Sequence, residues 1–126
     1  MARLQSTKRG QSALYSFAVD GGAQSTIGLG IYIPNNSIIT DFYVKTNTIP
    51  AGASGTAAFG WTGDTDVLMV VTGIAAFVAG ECLQGVDFNA NPLETTDVRE
   101  VAITIATTTW TAGILVVSVE YMELDI

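Results

Sequence analysis

Not one histidine occurs among the 126 residues, and Cys82 is the single cysteine, so the side chains that most often move protons or hold metals near neutral pH are missing. Proton transfer would fall to carboxylates, and one thiol cannot build a structural zinc site. The 12 Asp and Glu residues would suffice for the paired carboxylates of glycoside hydrolysis, yet no pair is set apart by its spacing. Gly63-Asp64-Thr65-Asp66 looks like the start of a calcium loop, but the third oxygen ligand and the Gly and Glu of an EF-hand do not follow, so it reads as an Asx turn or helix cap. Gly28-Leu29-Gly30 lacks the third glycine of a dinucleotide loop and opens no helix. Trp61 and Trp110 could stack on a sugar, but one falls in a strand-like alternation and the other in a loop, positions that suit core or interface packing better. The chain is expected to be no enzyme and to use no cofactor and no metal. Trp110, a large aromatic among the threonines of the Thr107–Gly113 loop, is the residue best suited to enter a neighbour's pocket.

The elements that must carry these residues are β-strands. The chain has one domain's length and is 48% apolar, which supports a single real core. Only 13% of its residues are charged, about half the usual share of roughly 25%, so part of its surface is expected to be covered by another molecule. Short runs of β-branched and aromatic residues are cut by Gly, Pro, Asn and Asp at intervals of about ten, the pattern of a sandwich or barrel. Ala13, Tyr15, Phe17 and Val19 alternate on one face of a first strand that stops at Asp20-Gly21-Gly22. Ile27, Leu29, Ile31 and Ile33 share the core face of a second, whose Gly28 and Gly30 imply close approach on the other side. Pro34 to Ser37 make a turn, and a hairpin with 38–46 is expected, with Phe42 and Val44 inward and Ile39, Asp41, Tyr43 and Lys45 on the wet face.

A fourth strand runs from Thr56 to Trp61. For 64–80 a short helix over Val67 to Val71 is preferred to a buried strand, and 74–78 and 83–88 are short enough for further strands. Val101, Ile103 and Ile105, then Leu115, Val117, Val119 and Tyr121, read as a hairpin at the sheet centre. The expected fold is all-β: a single-domain antiparallel β-sandwich, jelly-roll-like, with about eight strands and little helix. No internal repeat or linker divides it. Cys82 can form no intrachain disulfide and reads as a small buried hydrophobe.

Net charge is −7, which disfavours nucleic acid as a partner. The charge is unevenly placed. Arg3, Lys8 and Arg9 lie in a first ten residues without an acid, whereas Lys45 and Arg99 face all 12 acids elsewhere, leaving an arm of +3 and a body of −10. Residues 1–12 are accordingly expected to form a flexible basic arm, either simply a frayed polar terminus or one that reaches an acidic neighbour, and 13–126 the sandwich domain. The polar stretch Gln5 to Gln11 denies that arm the apolar region of a secretory signal. The longest apolar run, Val67 to Ala79, is too short and interrupted to span a bilayer, so no membrane partner is expected.

The segments TIGLGIYIPNNSIITDFYVKTNT, GTAAFGWTGDTDVLM and VREVAITIATTTWTAGILVVSVEYM resemble a pattern in small virion proteins of tailed double-stranded DNA bacteriophages. It consists of an Ile/Gly strand with a Pro-containing turn, a Gly-Asp-rich corner and a final TAG hairpin ending in VEYM, and it covers Tyr15 to Met122. The resemblance implies a capsid decoration or cement protein on the outer surface of the head, assembled in the host bacterial cytoplasm. Its implied partners are the major capsid protein and other copies of itself, a trimer above all. Arg3, Lys8, Arg9 and Trp110 are the residues expected to touch a partner. The alternative is a head-fibre or tail-associated sandwich whose exposed aromatics bind host glycans.

Overall fold

The computed structural model describes residues 5–125. In chain order its strands are β1 (Gln5–Ser16), β2 (Thr26–Ile33), β3 (Ser37–Ala51), β4 (Thr56–Trp61), β5 (Asp64–Gly73), β6 (Cys82–Gln84), β7 (Leu93–Glu94), β8 (Arg99–Ala106) and β9 (Ala112–Asp125). A single helical turn, α1 (Phe17–Asp20), follows β1, and a 3₁₀ turn over Ile74–Ala76 follows β5. One sheet has the order β1-β9-β3-β6, with β7 also on β3, and the other the order β2-β8-β4-β5. Every pairing is antiparallel. The expected all-β sandwich is the fold observed, with one strand more than the eight anticipated.

Alternation dictates the core. Tyr15, Phe42, Val44, Leu115, Val117 and Val119 point inward from the first sheet, and all are buried. Ile31, Ile33, Phe59, Val101, Ile103 and Ile105 answer them from the second. Phe42 and Phe59 meet across the middle with ring centroids 5.5 Å apart. At about 1.5–3 kcal/mol for each large apolar side chain taken out of water, these two faces supply the main force holding the sheets together.

Period two fixes which residues face inward, but not which sheet a strand joins, and this is where the sequence reading needs correction. The expected hairpins of 27–33 with 38–46 and of 101–106 with 115–121 are arches: β2 and β8 belong to one sheet, β3 and β9 to the other. β8 and β9 face each other across the core and do not pair at a sheet centre. Val67 to Val71 is strand, within β5, because pairing with β4 and burial of Leu68 and Met69 outweigh a helical turn capped by Asp64 or Asp66. Within 74–78, Ile74–Ala76 form the 3₁₀ turn and no strand, and of the strand expected over 83–88 only Leu83 and Gln84, joined by Cys82, pair with β3. Cys82 itself is exposed, at the edge of the first sheet.

The arm boundary expected at Ser12 falls inside β1. Gln5 to Ser16 pair with Asp125 to Ile114 without interruption, since the long β9 offers backbone partners as far as the sequence of β1 extends. Over its described part, the segment read as a flexible arm is therefore sheet. On the second sheet the close approach expected at Gly28 is made by Glu100, whose carboxylate oxygens would lie 2.6 Å from any Cβ placed there. The same carboxylate accepts the Gly30 N–H at 3.2 Å, where a φ of +77° lets the strand bulge.

The registers give the sandwich two unlike ends. At one, α1, residues 47–55, 74–81 and the 107–111 loop come together; at the other lie the turn at 34–36, the β4–β5 turn and the loops at 87–98. Thr95 ties the second end: its buried hydroxyl donates to Pro34 O at 2.7 Å and accepts the Ser37 N–H at 2.9 Å.

Candidate assembly surface

Trp110 is the centre of the first end, and it is fully buried, with 0% of its surface exposed. Its backbone N–H donates to Gly22 O at 2.8 Å, and the next residue, Thr111, donates to Ala51 O at 2.8 Å. Its indole meets Tyr15 edge-on at 5.6 Å and Phe77 at 6.2 Å. The Tyr15 hydroxyl donates to Gly21 O at 2.6 Å, and Thr108 Oγ1 donates to Gly52 O at 3.2 Å. Gly22 and Gly55 pass so near the Trp110 backbone and ring, and Gly52 so near the Thr109 carbonyl, that a side chain at any of them would collide. One indole thus welds four chain segments into a rigid end, and Trp110 is a positioning residue for that surface, with no face free to enter a neighbour's pocket. The partner contact that the sequence suggests for Trp110 has no exposed surface to form through.

What this end presents is apolar. Leu14, Phe17, Val19, Ile49 and Val78 are exposed there, Val19 to 84% and Ile49 to 53%. Their alternation with Ala13 and Tyr15 places Phe17 and Val19 on one face of a continuing first strand. The strand stops at Ser16 because the Ser16 N–H donates to Asp20 Oδ2 at 3.0 Å and the Gly21 N–H donates back to Phe17 O, turning the chain through α1 and rolling both side chains outward. The Ser-x-x-x-Asp-Gly spacing was the available sign of that turn. Among the described residues, Asp20 and Glu81 are the acids near this end, and Asp20 is engaged with Ser16.

Alongside, Val70 and Val71 stand exposed where β5 bulges against β4, and Thr72 Oγ1 donates to Val70 O at 2.8 Å. Between β5 and β6 the sheets gape into a groove of ≈ 170 Å³, lined by Met69, Leu83 and Val86 among others.

The opposite end is acidic. Asp64, Asp66, Asp87, Glu94, Asp97 and Glu100 gather on its turns and strand ends, with Glu123 near the end of β9. Lys8 and Arg9 lie here too, opposite Met122 and Tyr121, and Arg9 Nε pairs with Glu123 Oε2 at 2.9 Å on the surface. Arg99 lies over the Trp61 ring at 5.8 Å. Of the four residues expected to touch a partner, Lys8 and Arg9 sit together at this end, Trp110 is buried at the other, and Arg3 lies outside the described residues. Trp61, 6% exposed, and Trp110 present no paired stacking platform, which removes the residues on which a glycan-binding alternative rested.

No protein-family model matches the chain, and no curated protein matches it in sequence. Solved structures do match its fold. A chain of the acidic stable capsid of Helicobacter pylori bacteriophage KHP30 superposes with a TM-score of 0.70 at 10% identity, over 98% of this chain and 97% of that one. A chain of the cyanophage Pam1 capsid asymmetric unit gives 0.69 at 15% identity, over 94% and 86%. One from the capsid of Ralstonia phage GP4 gives 0.59 at 14%, over 91% and 84%. At such identities the likeness is one of fold: this small two-sheet domain is built, over nearly its whole length, as chains of phage capsids are.

Proposed function

We propose that this chain is a structural protein of a tailed bacteriophage virion: a capsid decoration, or cement, protein that binds the outer surface of the major capsid lattice and stabilises it. The observation that carries the reading is the near-full-length fold likeness to chains of three phage capsids. The low share of charged residues and the exposed apolar end support it, because both fit a domain that works by covering protein surface. A protein that binds the assembled lattice and not its separated subunits stabilises the lattice by mass action, with no chemistry required. In this reading copies of the chain associate, as a trimer, and the basic residues Arg3, Lys8 and Arg9 meet an acidic face of the shell. Assembly takes place in the host bacterial cytoplasm, and the chain ends on the outside of the virion.

The test uses heads from a phage from which this gene has been deleted, mixed with the purified chain and sedimented. Saturable co-sedimentation, together with greater resistance of the heads to heat, is expected. Lys8→Glu with Arg9→Glu should slow binding and change its salt dependence while the fold persists. These substitutions are preferable to deleting the first ten residues, which would strip half of β1 from β9. No co-sedimentation at any concentration would overturn the reading.

A further inference from the structure

We infer that the first half of β1, Gln5 to Ser12, is a detachable strap: it pairs with β9 in the free chain and leaves β9 to add as a strand to an acidic edge of the shell. The inference rests on the reading of the chain as a shell-binding protein, and it names the part that moves. β1 changes character along its length. Tyr15 is fully buried, its ring against Trp110 and its hydroxyl donating to Gly21 O at 2.6 Å, and the Ser16 N–H is held by Asp20. Toward the start of the strand that anchorage stops. Lys8, Arg9, Gly10 and Ser12 are exposed and Gln11 is half-buried, so across 8–12 neither face of the strand carries a large apolar side chain. The strand also lies at the edge of its sheet, paired on one side only. Besides the backbone ladder, three contacts fasten it. The Gln11 amide donates to Tyr32 O at 2.9 Å and to Tyr121 Oη at 2.8 Å, Arg9 pairs with Glu123 on the surface, and the Ser12 and Ser118 hydroxyls meet at 2.8 Å. Exposed ion pairs and water-accessible hydrogen bonds return little net free energy, and ordering each residue's backbone costs a comparable amount. Gly10 adds to that cost, having the most freedom to lose. The first half of β1 therefore stands near balance between paired and free, as the second half does not.

The rest of the sheet does not depend on the strap. β9 is paired along its other edge with β3, from Glu123 opposite Ser37 to Ala112 opposite Ala51, and so keeps its place when the strap leaves. The freed segment offers open backbone donors and acceptors, and it carries Lys8 and Arg9 in a stretch, Gln5 to Ser12, that holds no acid. Its match is a strand edge flanked by carboxylates, because ladder and charge then complement it together.

A reversible staple tests this. In a Cys82→Ser background, Gly10→Cys with Glu120→Cys puts thiols at directly paired positions of β1 and β9. A Cβ at Gly10 would lie 3.9 Å from Glu120 Cγ, in ordinary contact, so the strand accepts the change. The oxidised, stapled chain should bind gene-deleted heads about tenfold or more weakly than the same chain reduced, the two sharing one circular dichroism spectrum. In the wild-type chain, hydrogen-bonded amides of Gln5 to Ser12 should exchange about tenfold or more faster than those of Val116 to Val119, and should slow when heads are added. Equal binding by the stapled and reduced chains would overturn the inference and leave the virion reading standing. Exchange in the first half of β1 as slow as in β9 would overturn it too. Fast exchange there in a chain that ignores the heads would remove the virion reading, and with it the shell as the strap's destination, while the detachment itself would stand.

Discussion

Tyr15 and Trp110 meet edge to face, ring centroids 5.6 Å apart and planes at 82°, the first on the inner face of β1 and the second in the loop that leads into β9. This pair joins the sheet to the loops of the apolar end. The indole Nε1–H has no hydrogen-bond partner among the described residues, so the work of Trp110 is done by its volume and its flat faces. Trp110→Ala should therefore cost about 3–5 kcal/mol in urea denaturation, the range for deleting a large buried aromatic. Trp110→Phe should cost clearly less, since no indole hydrogen bond is lost. Equal costs for the two would show that the ring is not a hub.

Glycine positions at the same end give a paired comparison. A Cβ at Gly22 would stand inside contact distance of the Trp110 carbonyl, whereas at Gly73 it would meet open space with φ at −68°. Gly22→Ala is expected to destabilise by about 1–3 kcal/mol through forced backbone movement. Gly73→Ala should be neutral, or stabilising by up to about 1 kcal/mol through the unfolded chain. Thermal melts of the two variants side by side check the contrast.

At the other end, Thr95 supplies both a donor and an acceptor to the turn that opens β3. Thr95→Val keeps the shape and leaves the Ser37 N–H and Pro34 carbonyl without that partner in a buried site, a loss of about 1–3 kcal/mol. Faster amide exchange at Ser37 is the specific sign to look for by hydrogen–deuterium exchange.

Tyr15 also gives the fold an alkaline limit. Burial, and secondarily the nearby Asp20 carboxylate, push its phenol up to about 12. The folded chain thus holds this proton more tightly than the unfolded chain, whose phenol loses it near 10. The stabilisation is whole below about pH 10 and is lost as pH rises toward about 12. Melting temperature should fall across that window in the wild type and fall less steeply in Tyr15→Phe.

Much of this architecture could be read from residue order. The inward positions of β8 and β9, of Phe42 and Val44 on β3 and of Ile31 and Ile33 on β2 follow from alternation and are buried, whereas Ile27 and Leu29 are only partly covered and the register shift between Ile39 and Asp41 turns Ile39 inward from the expected wet face. Sheet membership could not be read the same way, because Ile103 on β8 and Val117 on β9 face one core from opposite sides and show the same period as a paired hairpin would. The apolar end was hidden for a related reason: Phe17 and Val19 keep the alternation of β1, and only the Ser16–Asp20 contact turns them out to solvent. Trp110 stands out in the sequence as a large aromatic among threonines, but its loop position says nothing about whether neighbouring loops close over the ring, as they do here.

Cryo-electron microscopy of the phage head, with this gene present and deleted, measures most directly whether the chain acts by clothing other protein. The expected map shows the two-sheet body outside the shell at the junctions between capsid subunits, present only when the gene is present. Heads that are identical with and without the gene, with no such body on their surface, would contradict it.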